Sequence, residues 1–363
     1  MLKRIAKYVG YAVLWCAMVA AVVWAESLSR KHDSTQVVCA TEIAISGGGM
    51  YPLIDNMAIS DWLKRHNMHP EGQTLKSIDI AAIESMVESH SAVADANVSI
   101  AMDGSVEIDI VQREPVARLR VEEYDMYITT DGYLIPTTDG YAVRVPVVTG
   151  RYEPLFGSDF TGYVSEMARD SVAALESHIV ALEQMKLPHY ERLIENNAEL
   201  RVVMRDRAKK GIFTSDEEYE ILNNAYKERT SIAKARHNSN ERAIRGDIAA
   251  LEAEQEDTRH MQDEVRRQAT EFANMVAMLT FIRDNTFWNA EVVQVEATGG
   301  GTEPLQLAIV PRSGRFMVDM GTTEGLQAKL ETLYRFYQKA LDRVGWDKYR
   351  SISLRYEGQV VCR

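Results

Sequence analysis

Apolar residues are spaced in three ways along this 363-residue chain, and each spacing predicts a different kind of element. From Tyr8 to Ala25, "YVGYAVLWCAMVAAVVWA", they run without a charge. They alternate with polar residues in short stretches before residue 150, and again after residue 285. Between residues 163 and 285 they recur every three or four positions. Alternation marks half-buried strands, and a three-and-four spacing marks one face of a helix.

The uninterrupted run predicts a membrane span. About 20 apolar residues cross a bilayer as a helix, and slightly fewer are tolerated. Tyr8, Tyr11, Trp15 and Trp24 place rings near both ends, where interfacial aromatics sit. Lys3, Arg4 and Lys7 precede the run, which predicts a cytoplasmic N-terminus and an exported remainder. A cleaved signal peptide is the rival reading, since Val23-Trp24-Ala25 loosely fits a cleavage site.

Beyond a polar linker, "VVCATEIAIS" reads as a strand, broken by Gly47 to Gly49. "LIDNMAISDWLKRHN" and "SIDIAAIESMVESH" have helical stripes, the second through Ile80, Ile83, Met86 and Val87. "DANVSIAMDG" and "SVEIDIVQREPVARLRV" alternate, with Asp103-Gly104 as the hairpin turn between them. Strand, helix, helix, strand, strand predicts two helices on one face of a three-stranded sheet. A second β-rich region follows and ends near Gly150.

The helical region carries a heptad. Ile244, Leu251, Thr258, Val265, Phe272 and Leu279 lie seven apart, and Ile248, Gln255, Gln262, Ala269 and Val276 fall between them. Val164, Ala168, Val172, Leu175, Ile179 and Leu182 make the matching stripe upstream. These stripes predict an antiparallel hairpin joined near residues 210–215. Pro188 should kink its first arm. Gly211 should end one helix, and Ser215 with Glu218 should cap the next. After residue 285 the pattern predicts three strands, then a helix buried through Leu330, Leu333, Tyr334, Tyr337 and Leu341. A closing strand follows from Ser351 to Val361, with Ile352, Leu354 and Tyr356 on its apolar face. The two β regions read as halves of one domain.

The net charge of −12 argues against nucleic-acid binding. Cys16, Cys39 and Cys362 lack metal-type spacing; Cys39 and Cys362 are either free or paired. His66 and His69 sit three apart with no third ligand nearby. There is no HExxH, GxSxG or Gly-rich nucleotide fingerprint. The pattern favours an interaction scaffold over an enzyme, and no cofactor, metal or small-molecule substrate is expected.

"VADANVSIAMDGSVEIDIVQREPVARL" resembles the last strands of a POTRA domain, above all "REPVARL", Arg113 to Leu119. A POTRA-like unit after one span, followed by "YITTDGYLIP", "VPVVTG", "IVPRSGRFMVDMG", "KLETLYRFY" and "ISLRYEGQVV", resembles the FtsQ/DivIB cell-division family in its Bacteroidetes form. The helical hairpin departs from that family's pattern. The resemblance implies an α+β chain: residues 1–7 cytoplasmic, 8–25 transmembrane, 26–36 linker and 37–120 POTRA. It places a β domain at 121–165 and 270–363, with the hairpin inserted at 166–269. It implies a divisome scaffold that binds FtsB-like and FtsL-like partners outside the membrane and acts on septal peptidoglycan synthesis. "LRY", Leu354 to Tyr356, matches the family's motif in the closing strand, so Arg355 and Tyr356 carry over as partner contacts. Ser351, Ser353, Leu354, Glu357 and Gly358 complete the candidate set. A strand at a sheet edge offers unpaired N–H and C=O groups to a partner strand. The alternative at this strand is an internal position with Tyr356 in the core. The alternative for the chain is a POTRA-containing, membrane-anchored secretion or outer-membrane assembly component.

Overall fold

The computed structural model describes residues 15, 17–22, 37–47, 52–137, 143–341, 349–356 and 358–363. Most of the expected span, residues 8–25, lies outside the described residues; Trp15 and residues 17–22 are helical. Among the described residues no helix is long and apolar enough to cross a membrane.

Alternation builds the first sheet. Strands β1 (Thr41–Gly47), β2 (Val93–Ile100) and β3 (Val106–Gln112) pair in the order β1-β3-β2. β1 runs parallel to β3, and β2 antiparallel. Val106, Ile108 and Ile110 turn inward from β3 and share a core with Ile59 and Leu63 of α1 (Asn56–Arg65) and Ile83 and Val87 of α2 (Ile80–Glu88). Asp55 and Asp79 cap the two helices by accepting from the Ala58 and Ala82 N–H groups, at 2.7 and 3.1 Å.

His90, just past α2, meets the Trp62 ring edge-on at 5.0 Å, and its Nδ1 accepts from the Ala92 N–H at 3.3 Å. Burial, and then the Arg65 charge, hold its pKa below the ordinary histidine value. The unfolded chain therefore takes up this proton first as pH falls. Stability is full above the unfolded pKa of about 6.5 and drains away below it, until the folded His90 also titrates. The thermal midpoint should drop between pH 7.5 and 5.5, and His90→Gln should flatten part of that slope. An unchanged slope in the variant would assign the acid sensitivity to other groups.

The stretch read as one strand, Ser105 to Val121, is two strands in two sheets. β3 stops at Gln112, and β4 (Pro115–Val121) opens the second sheet. Pro115 has no N–H to donate to a ladder, so the chain changes sheets at a residue that cannot continue one. The second sheet has ten strands in the order β13-β12-β11-β10-β9-β7-β4-β5-β6-β8. β5 (Tyr124–Thr129), β6 (Tyr133–Pro136), β7 (Val147–Glu153) and β8 (Gly162–Tyr163) come before the long helices. β9 (Val292–Gly300), β10 (Glu303–Pro311), β11 (Met317–Thr322), β12 (Ser351–Ser353) and β13 (Val361–Cys362) come after them. Parallel pairing of β7 with β9 joins the halves.

Two helices are inserted between those halves, α3 (Val164–Arg205) and α4 (Asp216–Asp284). Their cross-contacts run in opposite directions along the chain. Gln262 Nε2 donates to Val172 O, Gln255 Nε2 to Ile179 O, and Asn196 Nδ2 to His237 O, at 3.1–3.3 Å. Most heptad positions face inward: Ile244, Ile248, Gln255, Thr258, Gln262, Phe272, Val276 and Leu279 are buried, while Leu251, Val265 and Ala269 are half-buried. α3 continues through Pro188 without interruption. It ends at Arg205, so Gly211 does not cap it, and residues 206–215 make the join. Ser215 caps α4 as expected, its Oγ accepting from the Glu218 N–H at 3.2 Å.

No break separates the projecting part of α4 from its base. Phe272, Met275, Val276, Met278, Leu279 and Ile282 enter the core of the ten-stranded sheet. There they join Trp288 of α5 (Thr286–Glu291) and Leu326, Leu330 and Leu333 of α6 (Leu326–Phe336). Arg267 pins the base: its Nη2 donates to Gly301 O at 2.6 Å and its Nη1 to Glu271 at 2.7 Å. Glu271 in turn accepts from the Leu305 N–H at 3.2 Å. At 1.5 Å per residue, α3 alone is about 60 Å long, so the tip stands far from the sheet.

Candidate partner-binding edge

The closing segment is shorter and more folded than its alternation implied. Only Ser351–Ser353 form β12, which lies parallel to β11 with Val318 opposite Ile352. The chain then turns: the Gln359 N–H donates to Tyr356 O at 3.2 Å, and Gly358 takes a left-handed φ of 69°. A Cβ at Gly358 would meet nothing within 4 Å, so the glycine serves backbone conformation and not space. The chain returns as β13, antiparallel to β12, with Ile352 opposite Cys362 and Ser353 opposite Val361. Both sides of β12 are therefore occupied. The terminal edge of the sheet belongs to the two residues of β13, a correction to the expectation of a free edge along β12.

The candidate residues divide by environment. Leu354 is 2% exposed and lies in the core beside Ile352. It supports the sheet and is not a surface contact. Its N–H donates to Asp319 O at 2.8 Å. Ser351 and Ser353 are half-buried in β12, and the Ser353 hydroxyl donates to Asp319 Oδ2 at 3.4 Å. Arg355 is exposed and lies along the sheet surface, its side chain half in solvent. Its Nε donates to Asp319 Oδ2 at 2.6 Å and its Nη2 to Gln306 Oε1 at 2.7 Å. Its stem lies over Gly321, where an added Cβ would come within 3.0 Å of Arg355 Cγ. Tyr356 is 64% exposed. It is not in the core. Gly358 is exposed in the turn, and Glu357 lies outside the described residues.

Tyr356 borders a cleft of about 330 Å³, which Arg355, Gln359, Thr322, Lys329 and Thr332 also line. Lys329 forms its rim. The ammonium donates to Met320 O at 2.8 Å and Thr322 O at 2.9 Å, and burial lowers its pKa from the ordinary lysine value. The edge thus combines an exposed aromatic ring, a cationic rim and a short strand with a free side. Asp319, Gln306 and Lys329 were not singled out by the sequence. Asp319 alone carries a trace of a signal, as a polar position in the alternation of "FMVDMG".

Among the other described residues chemistry is sparse, and no group of three metal-ligating side chains occurs. Cys39 and Cys362 are free thiols. His69 Nε2 lies 3.2 Å from Ser60 Oγ and His66 Nδ1 lies 2.8 Å from Trp62 O, so the two rings serve separate local contacts.

Two family models match the chain. "FtsQ/DivIB, C-terminal related" matches residues 252–363, and "POTRA-like domain" matches residues 37–111. The first spans α4 from its middle onward, β9 to β13 and the whole candidate edge. The second spans the three-stranded sheet and its helices. Residues 1–36 and 112–251 lie outside both matches. No curated protein matches the chain.

Proposed function

We propose that this chain, an FtsQ/DivIB-family protein with a POTRA domain, is a single-pass membrane scaffold of the divisome. The FtsQ/DivIB-related match at residues 252–363, with a POTRA-like match before it, supports a role in cell division as a scaffold. In this reading residues 8–25 anchor it in the plasma membrane, the N-terminus is cytoplasmic and the bulk is periplasmic at the septum. It binds FtsB-like and FtsL-like partners and acts through them on the septal peptidoglycan synthase complex.

The observation that supports the partner site is the exposed Tyr356 beside a cleft at the terminal edge of the sheet, inside the family-matched region. A partner strand laid along β13 finds unpaired backbone groups there, and Tyr356 supplies a rigid apolar anchor. Tyr356→Ala should weaken the complex with an FtsB-like partner. A lost hot-spot anchor of ~2 kcal/mol at ~1.4 kcal/mol per tenfold is roughly a thirtyfold weaker affinity. The thermal midpoint should stay put, since the ring makes no core contact. Arg355→Glu behaves differently: the new carboxylate faces Asp319, so the midpoint itself should fall. Unchanged affinity for Tyr356→Ala would remove the partner site from this edge.

A further inference from the structure

The far end of the helical hairpin combines features found nowhere else among the described residues. Between Arg201 and Thr214 the chain carries five cations, Arg201, Arg205, Arg207, Lys209 and Lys210, and one acid, Asp206. Arg229 takes up Asp206 at 3.2 Å. The turn at the apex is built by two hydrogen bonds. The Gly211 N–H donates to Thr214 Oγ1 at 3.1 Å, and the Thr214 N–H donates to Gly211 O at 3.2 Å. This closure leaves Ile212 and Phe213 at the central positions, 98% and 100% exposed. Behind them the Tyr226 hydroxyl donates to Met204 O at 3.1 Å and ties the arms together. The tip is therefore a defined loop that presents two large apolar side chains to solvent.

Two adjacent apolar side chains held wholly in solvent at a closed turn, with a run of cations beside them, suit contact with a second surface. Two side chains at an apex cover far less than the roughly 800 Å² per partner of a specific protein interface. A bilayer surface asks only for apolar groups that reach the acyl boundary and cations among anionic headgroups. Charge selects the same occupant. The chain as a whole carries −12, so an anionic surface repels its bulk and attracts its basic tip. The acids Asp216, Glu217 and Glu218 sit on the first turn of α4, behind the apex, and Lys210 pairs with Asp216. Arg207 and Lys209 precede the apolar pair with no acid between them and it.

We propose that the hairpin tip is a membrane-docking element. Ile212 and Phe213 enter an anionic phospholipid surface, while Arg207, Lys209 and Lys210 meet its headgroups. The arm then fixes the distance between that surface and the sheet. The site is separate from the Tyr356 edge and stands without it.

The test uses the full chain held in zwitterionic nanodiscs. It is mixed with sucrose-loaded vesicles of phosphatidylcholine alone or enriched in phosphatidylglycerol, and bound protein is measured by sedimentation. The chain should sediment with the anionic vesicles and stay in solution with the neutral ones. Ile212→Ser with Phe213→Ser should weaken the binding about tenfold or more, and so should Lys209→Glu with Lys210→Glu. Added salt should weaken what the lysines contribute. Thermal midpoints of both variants should stay within a few degrees of the parent: Ile212, Phe213 and Lys209 are exposed, and Lys210→Glu sets its carboxylate against Asp216 at a site where the acid is almost fully in water and the repulsion is screened. Equal binding to both vesicle types, no binding to either, or variants that bind as the parent does would each overturn the proposal.

Discussion

Arg113→Ala should lower the thermal midpoint by several degrees and loosen the joint between the two sheets. Arg113 follows β3 and precedes β4, so it stands where the chain passes from one sheet to the other. Its side chain is 8% exposed. The guanidinium lies 3.6 Å from the centre of the Tyr133 ring and 5.1 Å from that of Tyr163. Nη1 donates to the Tyr163 hydroxyl at 2.8 Å and to Asp131 Oδ2 at 3.2 Å. A desolvated cation–π contact contributes about 2 kcal/mol, and a hydrogen bond to a charged group about 1.5–3 kcal/mol. Two effects reduce the total. Arg113 Nε is buried without a partner, and Asp131 is exposed enough to rehydrate once the arginine is gone. A net loss of about 3 kcal/mol follows, or on the order of 5–10 °C for a unit of this size. Arg113→Lys separates charge from shape. It keeps the cation but not the flat fork that lies on Tyr133, so it should recover less than half of the loss. A lysine variant that melts with the parent would show that stacking contributes nothing.

The joint is broader than one residue. Tyr127 and Ile135 of the ten-stranded sheet are buried in the core of the three-stranded one, with Tyr133, Val143 and Val145 packed against it. The sequence gives no sign of this sharing, because "YDMYITTDGYLIP" reads as a hairpin whichever core its side chains enter. The same limit explains the closing segment. Alternation from Ser351 to Tyr356 is a local pattern, whereas the return of β13 onto β12 is a pairing of two residues, too short to alternate. Arg355 was legible as a cation beside a tyrosine. Its engagement by Asp319 and Gln306 depends on the register of β10, β11 and β12, which no local pattern encodes. The long helices were more legible. A seven-residue spacing reports one helix face regardless of what covers it, and from Ile244 to Leu279 most of its positions are buried, with Leu251, Val265 and Ala269 only half-buried. What covers that face changes along α4. Near the tip it is α3, and from Phe272 onward it is the sheet core.

That change of partner along one helix leads to the last expectation. Replacing residues 180–254 by a Gly/Ser linker should remove most of the helical signal and leave the rest of the molecule folded. The cut is placed where the arms touch: the Gln255 side chain reaches Ile179 O at 3.2 Å. Packed helix axes lie about 8–10 Å apart, and each extended residue spans about 3.5 Å, so about five linker residues suffice. Among the described residues, the contacts that bind the helices to the sheet lie below the cut, including Val164, Phe272 and Leu279 in the core and Arg267 on Gly301. Above it the arms pack mainly on each other, through Leu182, Ile244 and Ile248 and through buried polar groups. Lys186 donates to Gln255 Oε1 at 2.7 Å, and His237 Nε2 lies 3.0 Å from Asn197 Oδ1. Such polar layers fix register more than they stabilise, since taking them out of water offsets much of what their bonds contribute. The arms should therefore add little to the stability of the base. The shortened chain should lose most of its helical circular dichroism, keep its midpoint within ~5 °C, and keep its affinity for a partner at Tyr356. Its binding to anionic vesicles should vanish with the tip. Wholesale unfolding would mean that the arms hold the ten-stranded sheet together. Retained vesicle binding would place the membrane contact elsewhere in the chain.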